Sequence, residues 1–169
     1  QTVAGVFYEN FDAVTTGSST NNTVPSCWTY IKTGTTTSIY GYTTTTSGQT
    51  GKGFYTYRPA QSGTTYSGDL MLVSPATDNL GAGTKQIRFS ARRYYSGTSY
   101  KGKLSIYTMS AATATATKTL IATIDVPSTA AWKEYIVPLA NTTDDYFAFS
   151  FEEENASKYI FIDDVYYEN

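Results

Sequence analysis

Four acids near the two ends of the chain, and a set of tyrosines and arginines between them, are the residues whose types and spacing could do chemistry. Glu9 and Asp12 lie near the start; Asp163 and Asp164 lie near the end. Calcium takes about six to eight oxygens, several from carboxylates and the rest from backbone carbonyls and water. If the first and last strands are neighbours, these acids and nearby loop carbonyls fit such a hard cation. Alternation along a strand lets only one of Asp163 and Asp164 face a shared site. The ion would be structural and would fasten the chain ends. The plainer alternative is a surface acid on each strand, paired with Lys or Arg.

The second constellation is aromatic. Tyr40, Tyr42, Tyr55, Tyr57, Tyr66, Tyr94, Tyr95 and Tyr100 stand among Gly, Ser and Thr, with Arg58, Arg92 and Arg93 beside them. Sugar rings have apolar C–H faces that stack on aromatic rings, and their hydroxyls need polar partners. Tyrosine offers a flat apolar body and a hydroxyl. Arginine adds a planar fork for carboxylate or sulfate. Tyr40, Tyr42, Tyr57, Tyr94, Tyr95 and Tyr100, with Arg58 and Arg92, are therefore the candidate ligand-binding residues. The run 92–95 and the Tyr40–Tyr42 loop are the best-placed parts of the set. Taken singly, each tyrosine fits a half-buried sandwich position equally well.

Other chemistry is pruned by composition. Histidine is absent, which removes the commonest general base, His-dependent triads and the usual zinc ligand. The single cysteine, Cys27, can form neither an internal disulfide nor a thiolate cluster; it is expected to be a partly buried small hydrophobe. The acidic residues Glu152, Glu153 and Glu154, and the pair Asp144 and Asp145, could in principle serve glycoside hydrolysis. Yet adjacent acids on a strand point to opposite faces. A net charge of −2 offers no field for polyanions, so nucleic acid is not an expected partner. No apolar run is long enough to span a membrane as a helix.

These residues must be held by strands. The 169 residues suit a single domain over 1–169. Tyrosine (16) and threonine (about 30) are in excess, and both suit a pleated surface with one wet face. Hydrophobic alternation has period two. In 85–91, Ile87, Phe89 and Ala91 share one face against Arg88 and Ser90; Leu104 and Ile106 repeat the pattern in 103–109; Phe147, Phe149 and Phe151 do so in 146–152. Further strands are expected at 5–11, 28–32, 53–57, 70–73, 119–124, 134–137 and 159–167, with Gly, Ser, Asn and Pro between them. Residues 33–53 read as a solvent-facing hairpin or recognition loop, and 111–116 as a loop or short turn. So many short strands predict an all-β antiparallel sandwich. Trp28, Phe7, Phe11, Phe89, Phe147, Phe149 and Phe151 match structural positions, and Trp132 is expected to be packed.

Three pieces in order carry a family resemblance. They are FYENFD with VPSCW (7–12, 24–28); DLMLVSPATDN with QIRFSAR (69–79, 86–92); and W-KEYIVPL, DYFAFSFE and YIFIDDVYYE at the end (132–139, 145–152, 159–168). Together these resemble the cleaved-adhesin or choice-of-anchor modules of secreted Bacteroidetes proteins, which are similar to MAM domains and to many carbohydrate-binding modules. The resemblance implies a jelly roll and a non-catalytic accessory role in a large secreted protein. It also implies a structural calcium on Glu9 or Asp12 and on Asp163 or Asp164. The chain departs from the adhesin pattern in lacking the acidic loop after the first tryptophan, where 33–38 stands instead.

The expectation is thus a monomeric module, secreted or at a cell surface, that binds polysaccharide or another glycan. A module binding a host or matrix protein, or spacing other domains, is the alternative; a polysaccharide lyase using Tyr and Arg is the third reading. A chain starting at Gln1 is expected to have lost a leader or to be excised from a longer polypeptide.

Overall fold

The computed structural model describes residues 5–35, 37–45, 48–59, 68–140, 142–152 and 156–169. Among these, twelve strands follow in chain order: β1 Phe7–Glu9, β2 Thr29–Lys32, β3 Tyr40–Thr44, β4 Gly53–Arg58, β5 Leu70–Val73, β6 Gln86–Arg93, β7 Tyr100–Lys101, β8 Lys103–Met109, β9 Lys118–Asp125, β10 Lys133–Pro138, β11 Tyr146–Ser150 and β12 Ser157–Glu168. The first sheet runs β10-β6-β12-β4-β3, with β1 and β7 also paired to β12; the second runs β2-β5-β11-β8-β9. Every pairing is antiparallel except the short β7–β12 contact. One 3-10 turn, Leu80–Ala82, accompanies them. This is the all-β jelly-roll sandwich that the alternation and the family resemblance point to.

The inward faces meet in one core. Ile87, Phe89 and Ala91 of β6 face Leu104 and Ile106 of β8 and the phenylalanines of β11, all buried. Phe89 meets Phe149 edge to face at 4.9 Å, and Trp28 meets Phe147 edge to face at 5.9 Å. A smaller cluster of Ile31, Met71, Val73, Met109 and Ala148 lies on the other side of the second sheet. Ala112 and Ala116, from the turn after β8, pack on it. That is why all four residues of β5 are buried. Within 33–53 the described residues include β3, which is laid antiparallel against β4.

β12 is not a uniform strand. Its pairing with β6 shifts by one residue between Asp163 and Tyr166. Before this bulge Ile160 and Ile162 are fully buried and Tyr159 is half-buried; after it Val165 and Tyr167 are fully buried and Tyr166 is half-buried. The extra residue reverses the phase of the alternation. It therefore puts Tyr159 and Phe161, then Tyr166 and Glu168, on one outer face. Asp164, at the bulge, takes a left-handed φ of 50°, a region that aspartate tolerates better than most residues.

The chain ends are fastened here. β1 pairs with the last part of β12, Phe7 opposite Tyr167 and Glu9 opposite Val165. A loop at 48–52 is gripped from both ends of the sequence: the Lys52 amide donates to Asp12 Oδ1 (2.8 Å) and the Gln49 amide donates to Asp163 Oδ2 (2.7 Å). Lys52 Nζ donates to the carbonyls of Asp12 (3.0 Å) and Val14 (2.6 Å). Gly51 has a φ of 75°, and a Cβ there would fall 2.1 Å from Asp12 Oδ1, so only glycine fits beneath that carboxylate. Cys27 departs from expectation. It is exposed, with a φ of 67°, in the turn that the Trp28 amide closes onto the Pro25 carbonyl (3.1 Å). The turn, rather than side-chain hydrophobicity, decides where the thiol points.

Two outcomes follow from this packing. Phe149→Ala should destabilise the fold by about 3–5 kcal/mol, the usual cost of deleting a buried ring, read from urea unfolding; a loss below 1 kcal/mol would remove Phe149 from the core. The second concerns Asp163, which is fully buried and whose pKa burial raises from 3.8 to about 6. The folded state holds this proton more tightly than the unfolded state, so its contribution is present below pH 3.8 and is lost as pH rises to about 6. In chelator, wild type should lose on the order of 2–3 kcal/mol more than Asp163→Asn across that window. Equal slopes for the two proteins would place the titration elsewhere.

Candidate functional site

The outer face of the first sheet carries the tyrosines in register. β3 and β4 set Tyr40 opposite Tyr57 and Tyr42 opposite Tyr55. β4 and β12 set Tyr57 opposite Tyr159 and Tyr55 opposite Phe161. β12 and β6 set Phe161 opposite Arg92. The result is two ranks of side chains lying across the strands, one reading Tyr42, Tyr55, Phe161, Arg92 and the other Tyr40, Tyr57, Tyr159. Tyr94 extends the second rank, since its amide donates to the Tyr159 carbonyl at 3.1 Å. Four strands at about 4.8 Å spacing make each rank roughly 14 Å long.

The rings touch from strand to strand. Centroids lie 5.4 Å apart for Tyr40–Tyr57 and Tyr42–Tyr55, 4.5 Å for Tyr57–Tyr159 and 4.9 Å for Tyr55–Phe161. Tyr95 closes the edge, 4.9 Å from Tyr159 and 4.6 Å from Tyr100. Such cross-strand aromatic pairs stabilise the sheet that bears them. Tyr94 and Tyr95 keep 48% and 41% of their surface exposed, which suits them to meet a ligand. A hollow of about 300 Å³ opens between Tyr42, Tyr55, Tyr94, Tyr95, Tyr159 and Phe161, the lower end of the range for small-molecule sites. Burial, and secondarily the neighbouring hydroxyls of Tyr40 and Tyr57, push the phenols of Tyr55 and Tyr159 well above the ordinary tyrosine range. Those two phenols keep their protons at neutral pH and can donate as well as accept.

Of the residues expected here from sequence, Tyr40, Tyr42, Tyr57, Arg92, Tyr94, Tyr95 and Tyr100 come together on this face. Arg58 stands apart. It shares the inward parity of Phe54 and Thr56 on β4, is buried, and donates to the carbonyls of Phe151 (3.2 Å) and Gly68 (2.8 Å). Arg93 is likewise buried and donates to the Tyr100 carbonyl. Tyr66 lies outside the described residues, as do Glu153 and Glu154. Sequence reasoning missed Tyr159 and Phe161, although two aromatics two apart, alternating with Ile160 and Ile162, were the available signal. It also assigned Trp132 to packing. Trp132 is half-buried, on the outer side, with the Arg92 guanidinium 5.4 Å from its ring.

The four terminal acids divide. Asp12 and Asp163 hold the 48–52 loop as described. The Phe11 amide donates to Glu9 Oε1 (2.6 Å), and burial raises the Glu9 pKa. Asp164 points elsewhere and accepts from the Tyr8 hydroxyl on the outer face. Among the described residues, no three acids or other metal-binding side chains gather as a ready cage. Glu152, from the acidic run, accepts from the Tyr107 hydroxyl and lies 4.0 Å from Lys103 Nζ. No helix among the described residues is long and apolar enough to cross a membrane.

Known structures share this architecture. The K1 cleaved adhesin domain of Lys-gingipain from Porphyromonas gingivalis aligns with a TM-score of 0.67 at 17% identity over 98% of each chain. A family 11 carbohydrate-binding module from Clostridium thermocellum, solved with a mixed-linked β-1,3-1,4 tetrasaccharide, aligns with a TM-score of 0.59 at 14% identity over 99% of this chain and 98% of that one. The CBM22-1 xylan-binding domain of Paenibacillus barcinonensis Xyn10C gives 0.58 at 10% identity over 99% and 97%. At such identities these likenesses establish the fold. Among curated proteins, none matches in sequence. The family model for the MAM domain (meprin/A5/mu) matches residues 10–169, nearly the whole chain, and the protein therefore belongs to the MAM domain family.

Proposed function

We propose that this domain is a non-catalytic, extracellular binding module whose ligand is a polysaccharide laid across the outer face of the first sheet. The observation that carries the reading is the connected aromatic face. Its rings are spread over β3, β4, β12 and the end of β6. A polymer crossing about 14 Å of strands could set several sugar units on successive rings. The hydroxyls at their tips would meet the sugar hydroxyls. Support comes also from the xylan-binding domain and the tetrasaccharide-bound module, which have this fold.

Calcium at the chain ends is the second part of the proposal. Glu9 and Asp163 are carboxylates whose pKa burial raises, on strands that pair with each other. A hard cation would offset that burial. Glu9 or Asp12 would supply carboxylate oxygen from one end of the chain and Asp163 from the other; backbone carbonyls and water would complete the shell. Asp164, turned to Tyr8, would take no part. The ion would add to a fastening that hydrogen bonds already make.

Affinity electrophoresis and calorimetry against xylan, mixed-linkage glucan and acidic plant and algal polymers test the first part. Tyr95→Ala should weaken binding by about 1–3 kcal/mol, as truncation of a contact residue does, with little change in melting temperature because Tyr95 is exposed. Retention of a matrix protein by wild type, with no polymer retained, would replace the reading by an adhesion module. Turnover of a uronic-acid polymer to an unsaturated, ultraviolet-absorbing product would overturn its non-catalytic part. For calcium, thermal melts at pH 7 should show a rise in Tm with millimolar calcium in wild type and none in Asp163→Asn. Identical melts in calcium and chelator would remove the ion.

A further inference from the structure

Two arginines stand on the outer face of β6, and their surroundings differ. Arg88 is neutralised within the protein. Its Nε donates to Glu168 Oε1 at 2.9 Å and its Nη1 to Glu134 Oε2 at 3.1 Å, while its guanidinium lies 3.8 Å from the Tyr166 ring. Arg92, two alternations further along past Ser90, has no carboxylate partner among the described residues. Its guanidinium is held between Phe161 (4.4 Å) and Trp132 (5.4 Å), and its Nε is buried with no hydrogen-bond acceptor. Ring faces offset part of the charge but accept no directed N–H bond. A desolvated N–H without an acceptor marks a guanidinium short of partners; the side chain is half-buried, so its outer N–H groups are the ones a ligand would meet. Burial lowers the Arg92 pKa, which agrees with a charge lacking its counter-ion.

The position matters as much as the deficit. Arg92 ends the rank that begins at Tyr42 and passes through Tyr55 and Phe161, and Phe161 also lines the aromatic hollow. A chain stacked along that rank reaches the guanidinium directly after the last ring. The planar fork of arginine matches a carboxylate or a sulfate ester. We propose that the polymer bound across this face is an acidic one, and that one of its anionic groups lies against Arg92. This rests on the carbohydrate reading above and names the ligand class. Arg92 then sets specificity, while the tyrosines supply the sequence-tolerant stacking.

The test uses paired polymers that share a backbone and differ in charge. Polygalacturonate is compared with methyl-esterified pectin, and a sulfated galactan with its desulfated form, by calorimetry on the wild-type domain. In at least one pair the charged polymer should bind ten-fold or more tightly, with a preference that shrinks as salt rises. The responding pair tells carboxylate from sulfate. Arg92→Gln should bring the two polymers of the responding pair to equal affinity; Arg92→Lys should keep part of the preference. A residue that merely latched Trp132 would change the melting temperature and not this ratio. Equal binding within both pairs overturns the proposal, and needs no variant to show it. Neutral polymers bound in a Tyr95-dependent way, with charge making no difference, would leave the carbohydrate reading standing and sink this inference alone. Failure of every polymer to bind sinks both.

Discussion

Everything on the outer face depends on the pairing of β12. This strand is hydrogen-bonded to β6 on one side and to β4 and β1 on the other, and it touches β7 at its start. Because side chains alternate across the pleat, one strand supplies Ile160 and Ile162 to the core and Tyr159 and Phe161 to the opposite side. Its neighbours on each flank do the same in register. The face is therefore a by-product of the ladder: the hydrogen bonds that close the sheet also fix the spacing of the rings. A slip of one residue in β12 would bury the tyrosines and expose the isoleucines.

Much of the fold was legible because alternation is a strong signal when one face is buried. Ile87, Phe89 and Ala91, then Phe147, Phe149 and Phe151, are core residues as the pattern requires. The tyrosine group was legible by composition only. Nothing local tells Tyr57 from Arg58, yet one residue of parity sends the first outward and the second to the carbonyls of Phe151 and Gly68. The phase reversal at Asp163 was not legible either. A bulge is decided by the partner strand's register, which one segment does not contain. Cys27 shows the converse: a left-handed turn residue is placed by backbone closure, and its side chain follows.

The two ends of the outer face differ in electrostatics although they share a strand. Around Arg88 the charges are mutually satisfied by Glu134 and Glu168, and Tyr8 stacks on Tyr166 at 4.3 Å. That end is closed chemistry, a polar network that completes itself. Around Arg92 the surface is aromatic and, among the described residues, its positive charge is balanced by ring faces. Membership of the MAM family accounts for the scaffold common to both ends. The contrast between them lies in the side chains, carboxylates on Arg88 and ring faces on Arg92.

Sites carried on loops can melt, breathe or rearrange while the body of a protein stays folded. Here Tyr40, Tyr42, Tyr55, Tyr57 and Tyr159 all sit within paired strands. Releasing any of them means breaking ladder hydrogen bonds, those of edge strand β3 for Tyr40 and Tyr42 and those of β4 and β12 for the rest. Tyr94 and Tyr95 lie beyond the end of β6 and are exposed, which leaves them the most room to adjust around a guest. The surface is thus a rigid floor with one adaptable lip, so shape selection falls to a few residues at its border.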